Sequence, residues 1–447
     1  MLGFLEFVSP PSHIFNNTKK MPDILLDMNE CAARMVELMR SATQTIHYSS
    51  FVCKLDAPLP GQPPHVTMGH LVREAVARGV SVNMFLNPSE HYGNSMEDFK
   101  RLEGVHMALV NSNGYIPPPF NTLFGERYTN HHQKFLVTDE TTIMVGGVGV
   151  HPCRAGWMVL NTEQPQPYYW HEVGVVTACT PDMATYITNM WNGAYTRPPF
   201  PLVAAEEEHQ LTLRMIREAA TCIHMEAQLC ISTTTTHKRV LETVVERVAT
   251  AFHTPGDTFC FMLLVNTHQP DEHPVVSGAT TSSLHWSRRM MRGAARDRGV
   301  PDSFMRERVF IGTLEKEATH IKVHSNLIIQ DGHTMLRSSS NLTDRSLSPS
   351  PCDNELGVVV SGPDVALAQQ KLWARYFEMP TGGPWWPRTA FRLMTDETGV
   401  VQAVRYHKVH DTTFVPDMVV DMVMRALHTL PYFGAQKSIE WSTDHVQ

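Results

Sequence analysis

His132, Lys134 and Asp139 stand in the string NHHQKFLVTDETTIMVGG. His324, Asn326 and Asp331 stand at the same spacing in VHSNLIIQDGHTMLRSSSN. One histidine among 24 would carry no weight. Two HxxxxxxD frames, each on an apolar strand that leads into small residues, imply a duplicated catalytic unit. Alternate residues of an extended strand share a face, so His132 and Lys134 are expected side by side. That pair suits phosphoryl transfer. The imidazole attacks phosphorus or carries a proton, and the ammonium offsets charge on the non-bridging oxygens. A histidine in this role needs an acceptor on its far ring nitrogen to fix the tautomer. Glu172 and Glu355 occupy parallel places in EVGVV and ELGVV, and each is the expected acceptor for the histidine of its own half. Asp139 and Asp331 fall at an odd spacing beside turns, which they are expected to brace. Asp331-Gly332 is a hairpin signal that returns Ser339 and Asn341 towards His324.

The elements that must hold these residues also come twice. RSATQTIH, from Arg40, lines up with REAATCIH, from Arg217, and each closes a helical segment and opens a strand. HLVREAVARGVSVNMFLN then matches VLETVVERVATAFH leading to TFCFMLLVN. Each half ends in a helix carrying a tryptophan, Trp191 or Trp373. Strands alternating with amphipathic helices predict an α/β fold of two tandem sandwich lobes, and a pseudo-two-fold axis between them would bring equivalent strands face to face. The expected boundaries are an N-terminal segment over 1–28, a first lobe over 29–200 and a second over 201–380. RPPFP (197–201) links the lobes. A C-terminal extension over 381–447 carries one more amphipathic helix, VPDMVVDMVMRALHTL.

The chain of 447 residues has 42% hydrophobic and 18% charged residues, which predicts a sizeable core. A net charge of −8 argues against a non-specific nucleic-acid binder, so no stable nucleic-acid partner is expected. The eight cysteines are scattered, with no CxxC pair, and are expected as buried free thiols of a reducing, cytoplasmic compartment. No stretch reaches about 18 uninterrupted apolar residues, and the N-terminus lacks a signal-peptide pattern, so membrane contact would be peripheral, on intracellular membranes.

The motif residues resemble the phospholipase D superfamily, with greatest similarity to its eukaryotic phosphatidylcholine-hydrolysing branch. The HxKxxxxD motif stands as His132, Lys134 and Asp139, followed by Gly146-Gly147. In the second copy SSNLTDRS (339–346) stands for the family's GSANINDRS, and Glu355-Leu356 fits the acidic-Leu signature. IHMEAQLCIS (223–232), LHWSRRMMRG (284–293) and YYWHEVGVV (168–176) also resemble family segments. The resemblance covers roughly residues 30–380. It implies a phosphodiesterase that hydrolyses or transfers a phosphatidyl group through a phosphohistidine on His132. His324 would protonate the leaving alcohol and then activate water. Lys134, Glu172 and Glu355 complete the catalytic set. No metal or cofactor is implied. His131, beside the motif, points to the opposite face and is expected to be structural.

Two positions depart from the family: Asn326 replaces the second lysine, and Gly149 replaces an Asp or Asn. Loss of one charge-assisted contact costs about 1.5–3 kcal/mol. Lys322, two residues before His324, would substitute for it; a solvent-exposed lysine at the strand entrance is the competing reading. Asn326, Asn341, Ser339 and Lys322 are the expected phosphate contacts. The loop 111–130, with Tyr115, Phe120 and Phe124, would form a rim for an acyl chain or a plain surface loop. Arg288, Arg289, Arg292, Arg296 and Arg298 would meet anionic headgroups or form a solvated helix face. A monomeric enzyme acting on phospholipid at a membrane surface is the expected function. The alternatives are an inactive membrane-associated scaffold and a nuclease of the same superfamily.

Overall fold

The computed structural model describes residues 22–86, 102–109, 131–150, 169–191, 198–230, 235–266, 274–316, 319–347 and 353–376. The loop 111–130, Cys153, Arg197, Cys352 and the extension over 381–447 lie outside them. In the first half the elements run β1 (Asp23–Leu25), α1 (Met28–Ser41), β2 (Thr45–Ser50), α2 (Met68–Ala77), β3 (Ser81–Leu86) and β4 (Val105–Leu109). They continue with β5 (Phe135–Thr138), β6 (Thr142–Val145), β7 (Tyr169–His171), β8 (Gly174–Ala178) and α3 (Pro181–Trp191).

The second half opens with β9 (Leu202–Val203), α4 (Ala205–Glu218), β10 (Cys222–Ala227), α5 (Thr235–His253), β11 (Cys260–Val265) and α6 (Pro274–Asp297). Then follow α7 (Asp302–Arg308), β12 (Val309–Gly312), β13 (Leu314–Lys316), β14 (Thr319–Val323), β15 (Asn326–Gln330), β16 (Thr334–Ser338), α8 (Asp344–Leu347), β17 (Gly357–Ser361) and α9 (Pro363–Tyr376).

Among the described residues there are two seven-stranded sheets, ordered β1-β8-β6-β5-β2-β3-β4 and β9-β17-β16-β15-β10-β11-β12. They match strand for strand. In each, the fifth strand of this order (β2 or β10) runs parallel to the next two and antiparallel to the hairpin that follows the histidine motif. Three residues that the sequence assigns to the segment before the first lobe form β1, the edge strand of the first sheet. A smaller sheet, β13-β14-β7, joins the two halves: β7 of the first runs parallel to β14 of the second.

Period-two alternation sorts the side chains. Phe135, Val137, Ile143 and Val145 share one core with Leu327, Ile329, Met335, Val358 and Val360 of the other sheet. The intervening Leu136 and Met144 pack outward with α1 and α2. Ile328 and Leu336 do the same with α4, α5 and α6. The sheets therefore meet across an apolar layer that α3 and α9 also enter, with helices on the outer faces. All six described cysteines are buried and free of disulfides. Among the described residues no helix is long and apolar enough to cross a membrane.

Candidate active site

The first dyad is built across the halves. His132 Nδ1 lies 2.9 and 3.0 Å from the two carboxylate oxygens of Glu355. The sequence assigned Glu355 to the histidine of its own half; the structure corrects this. The strand-end carboxylate reaches over the junction, and the backbone follows, since His132 N donates to Asn354 O at 2.9 Å. Lys134 Nζ stands 3.0 Å from His132 Nε2, although strand β5 begins only at Phe135. An ammonium offers no acceptor, so His132 Nε2 must present its lone pair and Nδ1 must carry the hydrogen donated to Glu355. This is the neutral tautomer a nucleophile needs. Ser339 and Ser346 donate their hydroxyls to the same carboxylate. Burial by itself raises the Glu355 carboxyl. The hydrogen bond from His132, the charge of Lys134 and the Ser339 hydroxyl outweigh it, holding the group below its ordinary value.

The second dyad is the crossed counterpart. His324 Nδ1 lies 2.6 Å from Glu172 Oε2, and His324 N donates to His171 O at 2.9 Å. Glu172 Oε1 accepts from Arg337 at 2.6 Å. Arg337 also donates to the carbonyls of Val173 and Asn326 and is 1% exposed, so its charge is spent inside the protein. The carboxylates retain 0% (Glu355) and 1% (Glu172) side-chain exposure, whereas the imidazoles retain 10% (His132) and 7% (His324). A ligand therefore meets the rings and not the acids.

Each histidine also carries an aromatic ring and a lysine. Phe51 meets His132 edge-on at 4.9 Å, with Lys134 5.9 Å from the Phe51 centroid. Trp170 lies 4.4 Å from His324, with Lys322 4.5 Å over the indole. Lys322 is 3% exposed, which corrects the solvent-exposed reading of that lysine. Its neighbour across the small sheet is Trp170 itself.

Asn326 is occupied with the backbone: its Oδ1 accepts from Gln228 N at 2.8 Å and its Nδ2 donates to Ser339 O at 3.1 Å. Asn341 accepts from Leu229 N at 3.1 Å, so both asparagines hold the turn after β10. Ser339 is directed to Glu355. Gly146 and Gly147 have φ of +82° and +67°, and a Cβ would fall 2.6 Å from the Arg337 guanidinium at the first and 2.5 Å from Cys31 Sγ at the second. Asp139 accepts from the amides of Thr43, Gln44 and Thr45, and Asp331 from those of Ala220, Thr221 and Cys222. Each aspartate thus braces the helix-to-strand turn next door. His131 is buried, 2.6 Å from Ser49, and burial with the nearby charge of Lys134 pushes it down to about 3.

Sequence reasoning passed over Phe51, Trp170 and Arg337. Arg337 left one signal: it stands where the aligned first copy has Val145, a charge at an apolar strand position. Glu208 of α4 was also missed. Both Ser338 and Ser340 donate to its Oε2 at 2.7 Å, and burial raises its carboxyl to about 7. In the arginine cluster Arg288 donates to Ile311 O, Arg298 to Ala294 O, and Arg296 lies 3.8 Å from Asp302.

No protein-family model and no curated protein sequence matches this chain. The fold is shared with the phosphatidylserine synthase of Haemophilus influenzae (TM-score 0.53, 11% identity, 91% of this chain and 92% of that one). A polyphosphate kinase from Porphyromonas gingivalis matches at TM-score 0.45 and 11% identity, over 82% of this chain and 51% of that one. NucT from Helicobacter pylori matches at 0.26 and 10% identity, over 39% and 94%. The first likeness alone is close enough to speak of a shared fold, and at its identity it speaks of fold only.

Proposed function

We propose that the chain is a phosphodiesterase of the phospholipase D type, acting on a phospholipid as a monomer at a cytoplasmic membrane surface. The observation that carries this reading is the His132 arrangement, with Glu355 on Nδ1 and the Lys134 ammonium on Nε2. A phosphoryl oxygen arriving at Lys134 would take over the ammonium and leave the Nε2 lone pair facing phosphorus. His132 Nε2 then bonds to phosphorus while the phosphorus–oxygen bond to the alcohol breaks. His324, held by Glu172, gives its proton to that oxygen. In the second step His324 takes a proton from water, the water oxygen attacks phosphorus, and the phosphorus–nitrogen bond breaks to restore His132. The crossed dyads and matching strand orders support two lobes related by a pseudo-two-fold axis, divided near the 197–201 linker.

Lys322 is the cation we assign to the phosphate in the second half of this site, where Asn326 and Asn341 hold the turn after β10; Ser339 serves Glu355 of the first dyad. A second reading has its own observation. Asn326 is tied to backbone groups and supplies no charge, which fits a scaffold that keeps the pocket without turnover. Choline release from phosphatidylcholine vesicles by the wild type, and none by His132→Ala, separates the two. Acid-labile, alkali-stable phosphate trapped on His132 supports the assigned roles; trapping on His324 reverses them. Cleavage of single-stranded DNA in place of the lipid would make the chain a nuclease.

A further inference from the structure

One buried glutamate outside the reaction path touches residues on both sides of the second dyad. Glu226, on β10, is 2% exposed. Its Oε2 accepts from the Ser325 hydroxyl and lies 2.8 Å from His171 Nε2. Its Oε1 accepts from the Tyr376 hydroxyl and lies 2.8 Å from His224 Nε2. The tautomer of His224 is fixed. Trp373 Nε1, which can only donate, sits 3.2 Å from His224 Nδ1, so that nitrogen accepts and Nε2 carries the hydrogen given to Glu226. The carboxylate offers about four lone-pair sites, and four side chains fill them.

Ser325 follows His324 and His171 precedes Glu172. Neighbouring residues of an extended chain point to opposite sides, so the dyad faces the site while Ser325 and His171 face the core. A single oxygen, Oε2, pins both core-facing partners. The backbone repeats the link, since the His171 carbonyl accepts from the amides of both His324 and Ser325. Burial raises the Glu226 carboxyl, but the charge and hydrogen bond of His171 and the hydrogen bond of His224 outweigh it and hold the group well below its ordinary value. The acceptor is thus a carboxylate. In the first half the aligned position is Ser49, bonded to His131 and to the Gln133 carbonyl, with no acid beneath the His132 dyad among the described residues.

We propose that Glu226 is a positioning residue that clamps His324 to Glu172 through its Oε2, a second buried carboxylate behind the His324 dyad where the aligned position of the first half is Ser49. The inference rests on the phosphodiesterase reading for its kinetic consequence, though the clamp itself is a matter of geometry.

The test separates the two oxygens of Glu226. Ser325→Ala removes the Oε2 donor next to His324, and His224→Phe removes an Oε1 donor whose other partner is Trp373. Tyr376 is no such control, because its hydroxyl also lies 2.8 Å from His171 Nε2. Displacing a catalytic group by about 1 Å costs roughly 10²-fold. Ser325→Ala and Glu226→Gln should therefore slow choline release about 10²-fold, and His224→Phe less than about threefold. With a p-nitrophenyl diester, whose leaving group needs little proton help, all three should still give a burst of product equal to the enzyme present. A second readout is independent of turnover. The Nδ1–H proton resonance of His324, identified by its loss in His324→Ala, should vanish in Ser325→Ala and Glu226→Gln and persist in His224→Phe. The corresponding His132 resonance should survive in all. Equal losses in Ser325→Ala and His224→Phe, or an intact His324 resonance in Ser325→Ala, would overturn the clamp. If Glu226→Gln does not fold, Ser325→Ala decides. A wild type that turns over no diester refutes the enzyme reading while the resonances still judge the clamp.

Discussion

The two histidine dyads use the same crossed pairing yet are braced by different chemistry. Around His132–Glu355 the carboxylate is held by the hydroxyls of Ser339 and Ser346, and the ammonium sits on the imidazole itself. Around His324–Glu172 the carboxylate is held by the buried Arg337, and a lysine lies 4.5 Å over the indole of Trp170. Hydroxyl donors leave the Glu355 charge available to its histidine and to Lys134. A guanidinium neutralises much of the Glu172 charge. The half built on His132 has its cation on the imidazole, and the half built on His324 has its cation on the acid. Gly146 belongs to this asymmetry, because the first half must leave room there for the guanidinium of the second.

Removing the guanidinium should have the largest effect on this contrast. Arg337→Met leaves Glu172 buried beside His324 without its cation, and breaking a buried pair in this way costs about 3–5 kcal/mol. Ser346→Ala, which strips one hydroxyl from Glu355, should cost about 1–3 kcal/mol. Urea unfolding of both variants measures the difference, and equal losses would dissolve the distinction between the two braces.

Glu208 and Cys31 sharpen the contrast further. They occupy the same place in the two aligned halves, behind Ser338–Ser340 and behind Gly147 respectively. The Glu208 carboxyl is raised from 4.5 to about 7, so the folded state binds a proton that the unfolded chain has already released. Its contribution is therefore fully present below about pH 4.5 and lost as pH rises towards 7, by up to about 3 kcal/mol. Glu208→Gln should flatten the stability profile across that window. An unchanged slope would mean the carboxyl titrates elsewhere.

The two lysines come next. If Lys322 is the cation of the second half, Lys322→Ala should slow turnover about 10²-fold, the usual scale for one phosphate-stabilising donor. Asn326→Lys should then give little gain in the wild type and a clear rescue in Lys322→Ala, and that non-additivity marks a shared role. A large gain from Asn326→Lys alone would restore Asn326 as the limiting position.

The smallest effect lies in the two hairpin turns. Asp139-Glu140 has φ of +50° and +52° where the second copy has Asp331-Gly332 at +54° and +65°. A side chain held in the left-handed region costs about 1–2 kcal/mol, partly offset by the entropy glycine loses on folding. Glu140→Gly should raise stability by up to about 1 kcal/mol, read as a higher thermal midpoint. No gain would show that the turn tolerates its glutamate through contacts of its own.

Whatever repeats within a short span can be read from the amino acids alone. The histidine frames, the strand and helix periods, the Asp331-Gly332 turn and the order of elements are local patterns, and each copy of the chain states them independently. Asp139 and Asp331 were legible as braces for the same reason, though not which turn they brace. Only the tertiary structure decided which acid serves which histidine, because Glu355 lies 223 residues from His132 and Glu172 lies 152 from His324. Period-two alternation fixes the face a side chain takes; it says nothing about what stands across the junction. Arg337 shows the same limit. It reads as a lone charge on an apolar strand until the glycine of the other half makes room and Glu172 arrives to pair with it. Lys322 is buried for a related reason: β14 leaves the main sheet to pair with β7, and that pairing brings Trp170 beneath the lysine and against His324.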